Sequence, residues 1–128
     1  MALAKQDKEA ARTHLAEDEE RAGRLPGLLR SVAEAERDLD GARQRNAPVE
    51  EVHERGMALD TALTEAMRAA YAHERTLVGV KGYTDRIHRR KRLARPKVRE
   101  ATLVAEELLT AREAHRLHGI PGVPRPVV

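Results

Sequence analysis

The residues best suited to chemistry lie in one run, Arg86-Ile-His-Arg-Arg-Lys-Arg-Leu-Ala-Arg-Pro-Lys-Val-Arg99, which has eight basic side chains and no acidic one. The chain carries 24 basic and 21 acidic residues, so 16 and 21 remain outside the run, a balance of −5 against a local +8. The chemistry this implies is phosphate binding by Arg86, Arg89, Arg90, Lys91, Arg92, Arg95, Lys97 and Arg99. On a helix, Arg89 with Arg92 and Lys91 with Arg95 form two adjacent basic rows. Such a segment repels itself until an anionic surface neutralises it. Nucleic acid is the expected surface, with counterion release as the driving force and guanidinium forks on phosphate. Base stacking is not expected, because only Tyr83 is near. Base-edge readout would rest on Arg alone, since the run has no Asn or Gln. The competing expectation is a solvated face that pairs with the chain's own Glu17-Asp18-Glu19-Glu20. A membrane anchor is not expected, because Ile87 and Leu93 offer too little apolar area.

Other pairs have spacings that could suit metal or catalytic work. Glu50 with His53, and Asp85 with His88, have the carboxylate–histidine spacing of half a di-iron helical-bundle site. His88 sits among cations, and two further inward carboxylates are missing, so no metal is expected. His115 and His118 are also three apart, and are expected to interact with a helix C-terminal dipole. Ser31 is the sole serine, and the chain has no phosphate-binding glycine loop, HExxH or nucleophile elbow. With no cysteine there is no disulfide, thiolate metal site or thiol nucleophile. The expectation is a non-enzyme with no cofactor.

Residues 108–121, Leu-Leu-Thr-Ala-Arg-Glu-Ala-His-Arg-Leu-His-Gly-Ile-Pro, resemble the first helix and turn of the helix-turn-helix in excisionase-type DNA binders. The resemblance implies a capping box at Thr110 and Glu113 and a turn at Gly119. The same string is similar to a helix of cytosine-5 DNA methyltransferases. Both resemblances end there. Pro121, Pro124 and Pro126 fall where a recognition helix would follow, and the chain has no methyltransferase catalytic motif.

The elements that must position these residues read as helices throughout. Residues 3–22 form one with a thin stripe of Ala4, Ala11, Leu15 and Ala22, ended by Gly23 and Leu25-Pro26-Gly27. Residues 28–45 form a second, with an alternative later start at a Ser31/Glu34 capping box. Leu25, Leu28, Val32, Ala35, Leu39 and Ala42 form its three–four seam. Asn46-Ala47-Pro48 breaks the chain. Residues 48–78 form the longest helix, about 45 Å at 1.5 Å per residue, with a seam of Val52, Gly56, Leu59, Leu63, Ala66, Ala70, His73 and Leu77. The two seams predict an antiparallel hairpin over 25–78, with Leu28, Val32, Leu39, Val52, Leu59, Leu63 and Leu77 as packing residues. Gly79 and Gly82 mark a hinge or turn. A short basic helix spans 84–95, capped by Thr84 or Asp85 and stopped at Arg95-Pro96. A last helix spans 97–118, with Ala101, Val104, Ala105, Leu108 and Leu109 on one side. Gly119 caps it, and an extended Pro-rich tail follows over 119–128.

The fold class is therefore all-α, with one helical domain over 1–118. Its core is poor: the chain has no Phe, no Trp and two Tyr, so Leu, Val and Ala must fill it. That favours sharing surface with other subunits. No run approaches the length of a membrane-spanning helix, and Met1–Asp7 lacks a signal-peptide apolar core, so a cytoplasmic or intravirion location is expected. The functional expectation is a binding protein for nucleic acid. The alternatives are a structural assembly subunit of virion or scaffold type, and a protein-binding adaptor or inhibitor.

Overall fold

A computed structural model describes residues 2–118, and the tail expected over 119–128, with its Gly119 cap, lies outside the described residues. All the described elements are helical: α1 (Ala2–Gly23), α2 (Leu25–Gln44), α3 (Val49–Val78), a 3-10 turn (Val80–Tyr83), α4 (Arg86–Leu93) and α5 (Pro96–His118).

Only Arg24 separates α1 from α2, and its backbone stays helical at φ −84°, ψ −12°. The Arg24 amide donates to the Arg21 carbonyl at 3.1 Å, and the Leu28 amide to the Arg24 carbonyl at 3.0 Å. Pro26 has no N–H to offer the carbonyl four residues back, so it fits only as a first-turn residue of a new helix. The capping box expected at Ser31 and Glu34 does not form. The helix has already begun at Leu25, and the Ser31 hydroxyl donates within it to the Gly27 carbonyl at 3.2 Å.

α2 ends where expected. Asn46 takes the left-handed conformation at φ 51°, which its short polar side chain tolerates. The Ala47 amide donates to the Ala42 carbonyl and the Asn46 amide to the Arg43 carbonyl, the paired bonds of a Schellman motif. Pro48 then stands as the N-terminal flank of α3.

α3 is the hub, with α1, α2 and α5 each packing along it, while α2 and α5 do not approach each other closely. The core joins Val32 and Leu39 of α2, Leu59, Leu63, Ala66 and Ala70 of α3, and Ala105 and Leu108 of α5. Leu28 and Val52 are half-buried against this cluster, so six of the seven expected packing residues take part. Leu77 does not: it is 36% exposed on the rim of an open groove, because nothing spans the gap between α2 and α5 at that level. On α5 the buried residues are Val98, Ala101, Ala105, Leu108 and His115, whereas Val104 stays exposed and Leu109 only half-buried. No large side chain among the described residues is wholly buried, as expected of a core built on alanine.

Candidate anion-binding surface

The short helix α4 is placed by two glycines and a cap. Gly79 has φ 96° and ψ 176°, a conformation open in practice only to glycine. At Gly82 a Cβ would run into the Val78 Cγ1, so a side chain there forces Val78 to shift. Asp85 then caps α4, accepting from the Ile87 and His88 amides at 3.0 and 3.1 Å. Its bond from the His88 amide, with help from Ile87, holds its carboxyl below the usual range against a smaller opposing effect of desolvation.

The turn ahead of α4 is tied to α1. Arg75 donates two bonds to Asp18, at 2.8 and 3.0 Å, and the Tyr83 hydroxyl donates to the same carboxylate. Burial opposes ionisation of Asp18, but the bonds from Arg75 and Tyr83 outweigh it and leave the carboxyl below its ordinary value. Burial, and then the Asp18 carboxylate, push the Tyr83 phenol up, so it remains a donor. His14 stacks on the Tyr83 ring at 6.1 Å.

The basic run straddles the end of α4 and the start of α5. Arg86, Arg90, Lys91, Arg95, Lys97 and Arg99 are exposed and Arg92 is half-buried. Arg90, Lys91 and Arg92 occupy the last turn of α4, where cations complement the helix dipole. Arg89 is different. Its guanidinium lies 3.8 Å from Glu74, a carboxylate of α3 that is 4% exposed and accepts from the Thr102 hydroxyl at 2.6 Å. Arg89 thus anchors α4 to α3. Beside it a cleft of about 520 Å³ opens between α3, α4 and α5, lined by Tyr71, Glu74, Arg89, Leu93, Arg99 and Thr102 among others.

None of the other seven cations has a carboxylate within ion-pair reach among the described residues. The acidic stretch of α1 does not neutralise them. Asp18 is held by Arg75, Glu20 pairs with Arg24 at 2.7 Å, Glu17 lies nearest His14, and α1 makes no contact with α4.

Two of the other candidates, Asp85 and His115, serve structure. The Asp85 carboxylate caps α4 instead of facing the His88 ring. His115 is buried, with Nε2 2.7 Å from the Gly56 carbonyl oxygen. A carbonyl can only accept, so Nε2 carries the proton. Arg116 donates to Asp60 at 2.7 and 3.2 Å, and Arg112 to the Thr64 hydroxyl at 2.8 Å. Among the described residues no group of three or more His, Asp or Glu side chains is placed to hold a metal ion. Thr110 and Glu113 lie inside α5, which runs unbroken from Pro96, so the capping box implied by the helix-turn-helix resemblance is absent. No helix among the described residues is long and apolar enough to cross a membrane.

Glu74 and the Asp18–Arg75–Tyr83 cluster were not expected. Glu74 carried a signal, because it lies eighteen residues, five full turns, after the seam residue Gly56 and so shares its face. The partners of Asp18 are 57 and 65 residues away and leave no trace in local spacing. Compared with known proteins, the chain matches no family model, no curated protein and no solved structure.

Proposed function

We propose that this chain is a non-catalytic helical protein that engages nucleic acid through the corner formed by α4 and the first turn of α5. One observation carries the reading. Seven of the eight cations of the run have no acidic partner in the described part of the chain, while several of its carboxylates are paired elsewhere. Unneutralised cations gathered at the corner of two helices suit phosphate, which the arginines meet by fork-shaped hydrogen bonding and all of them by releasing counterions. Arg89 is engaged by Glu74, so the phosphate-facing set is Arg86, Arg90, Lys91, Arg92, Arg95, Lys97 and Arg99, with Arg89 fixing the helix that presents them.

Fluorescence anisotropy with a labelled duplex and a labelled single strand, across a salt series, tests this. Log affinity for the duplex is expected to fall with log salt by roughly 0.9 per neutralised phosphate. Replacing Arg90, Lys91 and Arg95 with Ala should flatten that slope by roughly 0.9 for each cation removed. No binding to either strand form at low salt, or affinity indifferent to salt, would overturn the reading.

A further inference from the structure

The cleft of about 520 Å³ between α3, α4 and α5 adjoins the cationic corner but is not itself a phosphate pocket. Its lining sets two carboxylates, Glu74 and Glu106, against two guanidinium groups, Arg89 and Arg99, so its charge is balanced. Its apolar surface comes from Tyr71, half-buried against the core, and from Leu93 and Ala94. Burial, and then the Glu106 and Glu74 carboxylates, push the Tyr71 phenol up, so its hydroxyl stays a donor. Glu74 is the buried member of the polar set. Its Oε2 accepts from the Thr102 hydroxyl, but Oε1 has only Arg89 at 3.8 Å, beyond hydrogen-bonding length. Among the described residues no buried side-chain oxygen or nitrogen is sealed from solvent without a partner, so Oε1 opens onto the cleft. An accepting carboxylate and a donating guanidinium thus stand side by side in a site that also offers an aromatic side chain.

We infer that this cleft takes an unpaired guanine base of a single strand whose backbone lies on the cationic corner. Guanine alone among the four DNA bases presents two adjacent donors on its pairing edge, N1–H and N2–H, with the acceptor O6 beside them. The Glu74 carboxylate accepts from those donors, and Arg89, which has N–H groups to spare, donates to O6. Adenine and cytosine place a ring-nitrogen acceptor beside their amino group, and thymine has one donor between two carbonyls. Each would leave the carboxylate facing an acceptor. Tyr71 supplies a surface for the face of the base. Glu106 repels phosphate, and it lies two turns, about 10 Å, from Arg99 along α5. The sugar–phosphate therefore enters at the Arg99 end, beside the other phosphate-facing cations. In a duplex the pairing edge is already in use, so the site selects single strands. The inference rests on the nucleic-acid reading and narrows it. Local spacing hides the site, because Tyr71 and Glu74 stand on α3, ahead of the basic run.

The test is fluorescence anisotropy on the full chain with a labelled oligothymidine and with the same strand carrying one central guanine. Oligothymidine reports phosphate binding alone. The guanine strand is expected to bind roughly tenfold tighter at equal salt. Adenine or cytosine in the same place should give no advantage. Glu74→Gln keeps an acceptor for Thr102 and should abolish the guanine advantage, with oligothymidine binding and the circular dichroism spectrum retained. Tyr71→Leu keeps an apolar side chain against the core and should also reduce the advantage, and it serves alone if the first variant does not fold. Guanosine monophosphate lacks the neighbouring phosphates and should compete far more weakly than the guanine strand. Equal competition would overturn the strand as the source of the base. Equal affinity for guanine and thymine strands would overturn the inference and leave the phosphate reading standing. An advantage that survives both variants would overturn the cleft as its site, and no binding of any strand would overturn both readings.

Discussion

Asp18 and Glu74 show how individual residues carry charge into an alanine-rich interior. Each is a carboxylate less than a tenth exposed: Asp18 accepts from a hydroxyl and a guanidinium of distant elements, and Glu74 accepts from a hydroxyl and has the Arg89 guanidinium 3.8 Å away. Removing such partners costs more than making them gains, because the remaining group stays buried without compensation. For Asp18→Asn we expect a loss of about 2 kcal/mol at neutral pH, measured by urea denaturation. The folded-state carboxyl sits below its ordinary value, so its contribution is full above that value and disappears as pH falls through the lower one. The stabilities of wild type and variant should therefore converge in acid. Gly82→Ala should cost about 1–3 kcal/mol, because the new methyl meets Val78, itself buried. Neither effect is legible in the sequence. A GxxG spacing announces a turn, but not which glycine is required by its dihedral angle and which by its neighbour.

Among the elements, helix limits are the most legible feature, because local chemistry sets them. Asn46 ends α2, Asp85 starts α4 and Pro96 starts α5, each through a backbone bond or a missing one. The α1–α2 boundary reads in sequence as a wider break, because Gly23, Pro26 and Gly27 each discourage a helix. Pro26 is compatible with a first turn, which narrows the interruption to one residue. α4 depends most on its cap. It has eight residues, buries none of them fully, and carries like charges that repel. Asp85→Ala should cost about 1 kcal/mol and fray this helix, seen as reduced amide protection over residues 86–93. On the proposed nucleic-acid reading it should also weaken affinity, although it removes none of the cations in the proposed phosphate-facing set. The side of α5 that faces α3 is less legible, because its apolar residues are spread around the helix. The buried seam of Val98, Ala101, Ala105, Leu108 and His115 emerges only once α3 is in place.

At the scale of the whole molecule, every long helix rests on α3, so loss of packing there propagates to all of them. Leu63→Ala, in the centre of that packing, should cost about 3 kcal/mol and lower the stability of α1, α2 and α5 together in one unfolding transition by circular dichroism. The hairpin of α2 and α3 can be read from matched seams, whereas the docking of α5 cannot. That docking is marked by a series of polar ties: Gly56 with His115, Asp60 with Arg116, Thr64 with Arg112, and Glu74 with Thr102. Alanine surfaces are smooth, and one rod could slide a full turn of about 5.4 Å along another with little change in apolar packing. The ties act as graduations on a rule, so a slip of one turn would break all four at once. The cationic corner, which begins where α5 begins, is therefore held at one height on the central rod.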